Sequence, residues 1–158
     1  YIPATDDAVL FLWTTVPHLE DALRVIAAWG FTYRSNLVWV KDRMGTGYWS
    51  RNMHEHLLIA TRGDIPAPTM GDQCQSVIEA AVGEHSAKPA AFRSVIDGYY
   101  PNIGKLEMFC RGVAVDGWDG WGHETEAPAP LKVPGIEEDD PFKIPEFLRR
   151  SQVEETQP

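Results

Sequence analysis

The segment Lys41-Asp42-Arg43-Met44-Gly45-Thr46-Gly47-Tyr48-Trp49-Ser50-Arg51-Asn52 interleaves cations with two large aromatic rings. Phosphates seek Lys and Arg, and exposed bases stack on aromatic faces, so such a loop suits a nucleic-acid strand. The competing reading is a solvated loop with Trp49 turned back into the core, because aromatic rings are packing residues first. A second stretch runs Gly104-Lys105-Leu106-Glu107-Met108-Phe109-Cys110-Arg111 and resumes at Gly117-Trp118-Asp119-Gly120-Trp121-Gly122-His123-Glu124. Glu124 there suits the acceptor of ribose hydroxyls found in many nucleotide sites. Otherwise Trp118 and Trp121 close a core and the charges decorate its surface. His54-Glu55-His56 lacks the i, i+4 spacing of a zinc protease helix, and no Cys or His ligand set accompanies it, so no metal is expected. The Gly-rich dinucleotide fingerprint is also absent.

These residues need elements to position them. Ala8-Val9-Leu10-Phe11-Leu12-Trp13-Thr14 is a continuous apolar run of the kind buried on both faces of a parallel sheet, and it reads as a central strand. Leu19, Ala22, Leu23, Ile26, Ala27 and then Trp29 recur at helical period until Gly30, a favoured helix-ending residue. Strands are expected over 31–41 and 56–61, with a Gly-containing loop between them, and a short one over 76–80. A helix should open at Lys88-Pro89 with Pro in the first turn and Phe92, Val95, Ile96 and Tyr99 as its apolar stripe. Lys105 to Phe109 is the last clear strand. Strand, helix, strand, strand, helix, strand describes an α/β domain, whose ligands belong at the carboxyl ends of strands, in the loops after Trp13, Trp39, Ile78 and Phe109.

With 158 residues the chain suffices for one packed domain. No apolar run approaches the roughly 20 residues of a membrane span, and no secretory signal opens the chain, so a soluble, cytoplasmic protein is expected. Cys74 and Cys110 stand far apart, without a CxxC pair, and read as reduced structural thiols. The formal charge is -9. Residues 126–158 hold eight acids against four cations, so -4 of it falls there and -5 before. That remainder disfavours tight, non-specific phosphate binding by this chain alone and favours a protein partner, a second copy, or a further segment that brings basic surface. Residues 126–158, acidic and Pro-rich, read as a mobile tail with a possible short helix around 142–150.

Taken in order, the runs Leu10-Phe11-Leu12-Trp13, Trp29-Gly30-Phe31, Val38-Trp39-Val40-Lys41, Gly47-Tyr48-Trp49-Ser50-Arg51-Asn52-Met53-His54-Glu55, His85-Ser86-Ala87-Lys88-Pro89, Lys105 to Arg111, and Gly117 to Gly122 form a recognisable pattern. The pattern resembles the adenine-N6 methyltransferase family typified by the catalytic subunit of the messenger-RNA N6-methyladenosine writer. It spans residues 1–125, which are therefore expected to form the methyltransferase domain. The Arg51-Asn52-Met53-His54-Glu55 variant looks more like bacterial and phage members, many of which modify DNA, so DNA is expected ahead of RNA, in the cytoplasm of a bacterial or phage-infected cell.

The resemblance implies a Rossmann-like, S-adenosylmethionine-dependent methyltransferase fold, a mostly parallel sheet flanked by helices. It also implies an Asp-Pro-Pro-Trp motif at the end of an upstream strand, where the acid and a Pro carbonyl accept hydrogen bonds from the N6 amine. This sequence has no such tetrad, so the domain is expected to be N-terminally incomplete, with no catalytic residue inside it and no activity on its own. By position, Lys88 looks like the loop residue closing over cofactor and target, and Trp49 with Glu55 like part of the target-adenosine pocket. Arg111, His123 and Glu124 look like ligands of S-adenosylmethionine, with His123 a departure from the Asn common in the family. The alternative is a catalytically silent relative that keeps the fold as a nucleic-acid-binding or scaffold subunit. A weaker alternative is an α/β nucleotide-binding protein with no nucleic-acid role.

Overall fold

The computed structural model describes residues 2–84 and 86–125. The expected tail and its short helix lie outside them. The chain divides into two compact units, the first ending at Lys105 and the second beginning at Leu106.

In the first unit, strand β1 (Ala8–Thr15) is followed by a 3-10 turn (Val16–His18), helix α1 (Leu19–Ala28), strand β2 (Thr32–Val40), strand β3 (His54–Arg62), strand β4 (Val77–Glu79) and helix α2 (Ala90–Tyr99). α1 ends as its sequence dictates. Gly30 takes φ +77°, and the amides of Gly30 and Phe31 donate to the carbonyls of Ala27 and Ile26, each at 3.0 Å. These two bonds cap the last turn and release the chain into β2. α2 starts one residue later than expected. Pro89 has ψ 135° and caps the helix from outside.

The strands form one sheet in the order β1-β3-β2-β4. β3 runs antiparallel to both β1 and β2, and only β2 and β4 pair in parallel. The expectation of a mostly parallel sheet is thus corrected, as is the central place given to β1, which lies at one edge of this sheet. The physical reason is the connection between β2 and β3. Residues 41–53 fold back as a hairpin loop, closed at its base by Lys41 N–H to the Met53 carbonyl at 2.7 Å, and an antiparallel return needs no crossover helix. The crossover through α1 still leaves β1 and β2 pointing the same way, with β3 inserted between them. β1, β2 and β4 therefore share one carboxyl edge, and β3 starts from it.

Alternation along β3 divides its side chains between two layers. Leu57 joins Leu37, Trp39 and Phe92 in the main core, flanked by Phe11, Trp13, Ile59, Ile78, Val95 and Ile96. Leu58 and Ala60 point to the opposite face, where they are buried. α1 packs on β1 and β2 and buries its own Ala22 and Ile26. Buried Trp39 donates its indole N–H to the Ala80 carbonyl at 2.8 Å, so its polar atom is satisfied.

The second unit holds β5 (Leu106–Met108), β6 (Arg111–Gly112), β7 (Asp119–Trp121) and β8 (Glu124–Thr125). β5 pairs with β7 and β6 with β8, both in parallel and apart from the four-stranded sheet. The Gly- and Trp-rich stretch is thus partly strand. Gly120 and Gly122 let it approach Cys110. A Cβ on Gly122 would stand 2.6 Å from the Cys110 carbonyl oxygen and 2.9 Å from its nitrogen. Trp121 leaves much of its ring exposed and packs edge-on against Phe109 at 5.9 Å.

Candidate functional site

Three elements meet at the carboxyl edge of the sheet, where α/β ligand sites lie. Lys41 follows β2, Lys88 immediately precedes Pro89 and α2, and Glu55 is the second residue of β3. The Lys41 ammonium donates to Glu55 Oε1 at 2.5 Å, and the Lys88 ammonium donates to Glu55 Oε2 at 2.8 Å. The Glu55 side chain is only 10% exposed, against 20% for Lys41 and 34% for Lys88. Burial pushes the Glu55 carboxyl up, but the hydrogen bonds and charges of Lys41 and Lys88 outweigh it and hold the group below the ordinary carboxylate value. Glu55 is thus an ionised acceptor in a poorly hydrated place.

The floor of this cluster is aromatic. Lys41 Nζ lies 4.8 Å from the Trp39 ring centroid, and Lys88 Nζ lies 5.4 Å from that of Trp13. Trp13 meets Trp39 and Phe92 edge-on, at 6.1 and 4.8 Å. Such rings attract the cations and keep water from beneath them. The neighbours of Glu55 point the other way. His54 and His56 stack edge-on at 5.1 Å, and His56 Nδ1 lies 3.1 Å from Asn36 Nδ2. Burial, with His54 nearby, lowers the His56 pKa. Among the described residues no group of three or more His, Cys, Asp or Glu could hold a metal ion.

Glu55 and Lys88, singled out from the sequence, are therefore brought together. Lys41 is the member that sequence reasoning missed, having been read only as one cation of the loop. Trp49 stands on the hairpin loop that leaves the sheet at Lys41 and returns before Glu55. It is 102% exposed, beside an equally exposed Tyr48, so its turning back into the core is excluded. The loop's backbone is held from within. Gly45 N–H donates to the Asn52 carbonyl at 2.9 Å, and Arg51 Nε donates to the Gly45 carbonyl at 2.8 Å.

In the second unit, Arg111 and Glu124 lie opposite each other on β6 and β8 and form an ion pair, with Arg111 Nε 3.0 Å from Glu124 Oε2. Both side chains are more than half exposed, and His123 is exposed beside them. Within this unit the chemistry suits S-adenosylmethionine: a guanidinium such as that of Arg111 complements a carboxylate, and a carboxylate such as that of Glu124 accepts from ribose hydroxyls. Among the described residues no helix is long and apolar enough to cross a membrane.

The model of the MT-A70 family matches residues 3–124. Among curated proteins, the chain is similar to the type II methyltransferase M.MunI of Mycoplasma sp, with 34% identity over 75% of this chain and 51% of that protein. It is also similar to the N(6)-adenosine-methyltransferase MT-A70-like protein of Drosophila melanogaster, 30% identical over 94% of this chain and 25% of that one. The N(6)-adenosine-methyltransferase catalytic subunit METTL3 of Homo sapiens is 30% identical over 92% and 25%. The chain thus spans about half the length of the first relative and a quarter of the other two.

Proposed function

The chain belongs to the MT-A70 family, whose methyltransferases use S-adenosylmethionine, and from that premise we propose that the whole protein methylates the N6 amine of adenine in nucleic acid, DNA ahead of RNA. The observation that carries this reading is the Lys41–Glu55–Lys88 cluster at the carboxyl edge, a fixed acceptor and two donors on an aromatic floor. Identity is higher toward the bacterial type II methyltransferase than toward the N(6)-adenosine-methyltransferases, which, with the Arg51-Asn52-Met53-His54-Glu55 variant, supports DNA.

When bound, S-adenosylmethionine supplies an electrophilic sulfonium methyl group. The residues of this chain bind and orient. Trp49, exposed on its loop among Arg43 and Arg51, offers a ring on which a base stacks while the cations meet phosphates. Glu55 accepts a hydrogen bond from the target nucleoside, and Lys88 turns between Glu55 and the acceptor groups of target and cofactor. Arg111, His123 and Glu124 hold the cofactor's polar groups. In duplex DNA the target adenine leaves the stack before its amine meets the donor. The protein works in the cytoplasm, where donor and nucleic acid are both at hand.

The test is methyl transfer from labelled S-adenosylmethionine to matched DNA and RNA oligonucleotides by the full-length protein. Label on adenine N6 in DNA above RNA is expected. Oligonucleotide binding without transfer, together with a degenerate tetrad in place of Asp-Pro-Pro-Trp upstream of Tyr1, would replace the enzyme with a scaffold subunit.

A further inference from the structure

The two lysines that share Glu55 are not equivalent. Lys41 continues β2, its amide bonded to Met53 at 2.7 Å, and its ammonium rests on Trp39, a ring almost wholly buried and itself tied to the Ala80 carbonyl. Lys88 lies in the stretch between β4 and α2, is the more exposed of the two, and sits farther from the rings, at 5.4 and 6.0 Å from Trp13 and Trp39. Each takes a different carboxylate oxygen.

From this asymmetry we infer that Lys41 is a positioning residue, a fixed counter-ion that holds Glu55 in place while Lys88 is released to a bound ligand. The functional half of this inference rests on the reading proposed above. Release of Lys88 alone would leave a bare carboxylate in a dry site, and such a group takes up a proton and ceases to be an acceptor. With Lys41 still on Oε1, only Oε2 is freed, and it stays open to an N–H or O–H of the ligand. The 3-10 turn packed on β3 carries His18, which is exposed and pairs with Asp21 at 3.5 Å. β1 places Thr15 opposite Glu55, β4 places Ile78 beside Trp39, α2 presents Phe92, Val95 and Ile96 to the core, and His54 and His56 lie on the far face.

Two measurements on the full-length protein decide it. The first follows the Glu55 carboxyl carbon by NMR against pH without ligand. Lys41→Met should raise the titration midpoint by about one pH unit or more, a tenfold change in proton affinity, because an ammonium at hydrogen-bond distance is lost. Lys41→Gln, which keeps a donor without the charge, should do the same, and Lys41→Arg should restore the midpoint. The second follows the lysine ammonium signals on addition of S-adenosylmethionine and an adenine-containing oligonucleotide. The Lys88 signal should shift while that of Lys41 stays. An unmoved midpoint in Lys41→Gln, or Lys41 shifting together with Lys88, would overturn the inference. Absence of methyl transfer by the wild type would overturn the proposed function instead, and the titration would still decide whether Lys41 is the fixed counter-ion of Glu55.

Discussion

Glu55→Gln is the most informative single change, because it preserves shape and removes only the charge that two cations share. Breaking a buried ion pair by removing one partner costs about 3–5 kcal/mol, since the other charge is left uncompensated. Here the stranded lysines retain 20% and 34% exposure and recover part of their hydration, which lowers the expected loss to about 2–3 kcal/mol at neutral pH. The effect has a pH signature. Glu55 has its folded pKa below the ordinary value of 4.5, so its contribution is fully present above that value and fades as pH falls through the folded pKa. Urea unfolding of the full-length wild type and variant should therefore show the full gap at pH 7 and a narrowing gap as pH drops below 4.5. A gap under about 0.5 kcal/mol at pH 7 would place the cluster with ordinary surface pairs. A gap that did not change with pH would show that packing, not charge, had been lost. Either result would exclude Glu55 as a buried charge shared by two lysines.

Trp49→Ala should leave stability within about 0.5 kcal/mol, as an exposed ring has little to lose, yet weaken oligonucleotide binding by about 1–3 kcal/mol for one stacked base. Fluorescence anisotropy against calorimetric cofactor affinity checks this, and equal loss of both would indicate folding damage. Glu124→Ala should weaken S-adenosylmethionine binding about tenfold by removing a charged acceptor, and unchanged affinity by calorimetry would remove it from the cofactor site. Gly122→Ala forces a methyl group onto the Cys110 backbone and should destabilise the second unit by about 1–3 kcal/mol. Hydrogen exchange of the Cys110 amide, which bonds the Trp121 carbonyl at 3.0 Å, should quicken at least tenfold.

What the sequence reveals about this fold follows the range of its signals. α1 is legible to within a residue of its end, where Trp29 caps the helix instead of continuing it, because periodicity and a capping glycine are local. The strands are legible as strands, but their partners are not. β1 reads as central because a continuous apolar run says that both faces are covered without saying by what, and nothing in it tells that β3 lies between β1 and β2. The same gap hid Lys41. In the observed register Trp39 faces Glu55 and Val40 faces His54, so Lys41 is a near neighbour of Glu55 across the ladder. Recognising residues 41–53 as a hairpin loop would have placed the two together. Arg111 and Glu124, assigned from family resemblance, are similarly joined by a strand pairing that neither local run announces.

Between Tyr33 and Ser35 β2 advances two residues while β3 advances one, which leaves Arg34 as a bulge. That extra residue lies toward the strand end remote from Glu55, so it absorbs a mismatch in length without disturbing the pairing of Trp39 with Glu55. A slip of one residue in β3 would turn Glu55 onto the far face and bring His54 or His56 between the lysines. An anionic acceptor would then become an imidazole facing two ammonium groups, which repel its protonated form. The alternation His-Glu-His is thus a place where the charge of the site depends on counting, and the bulge keeps the count.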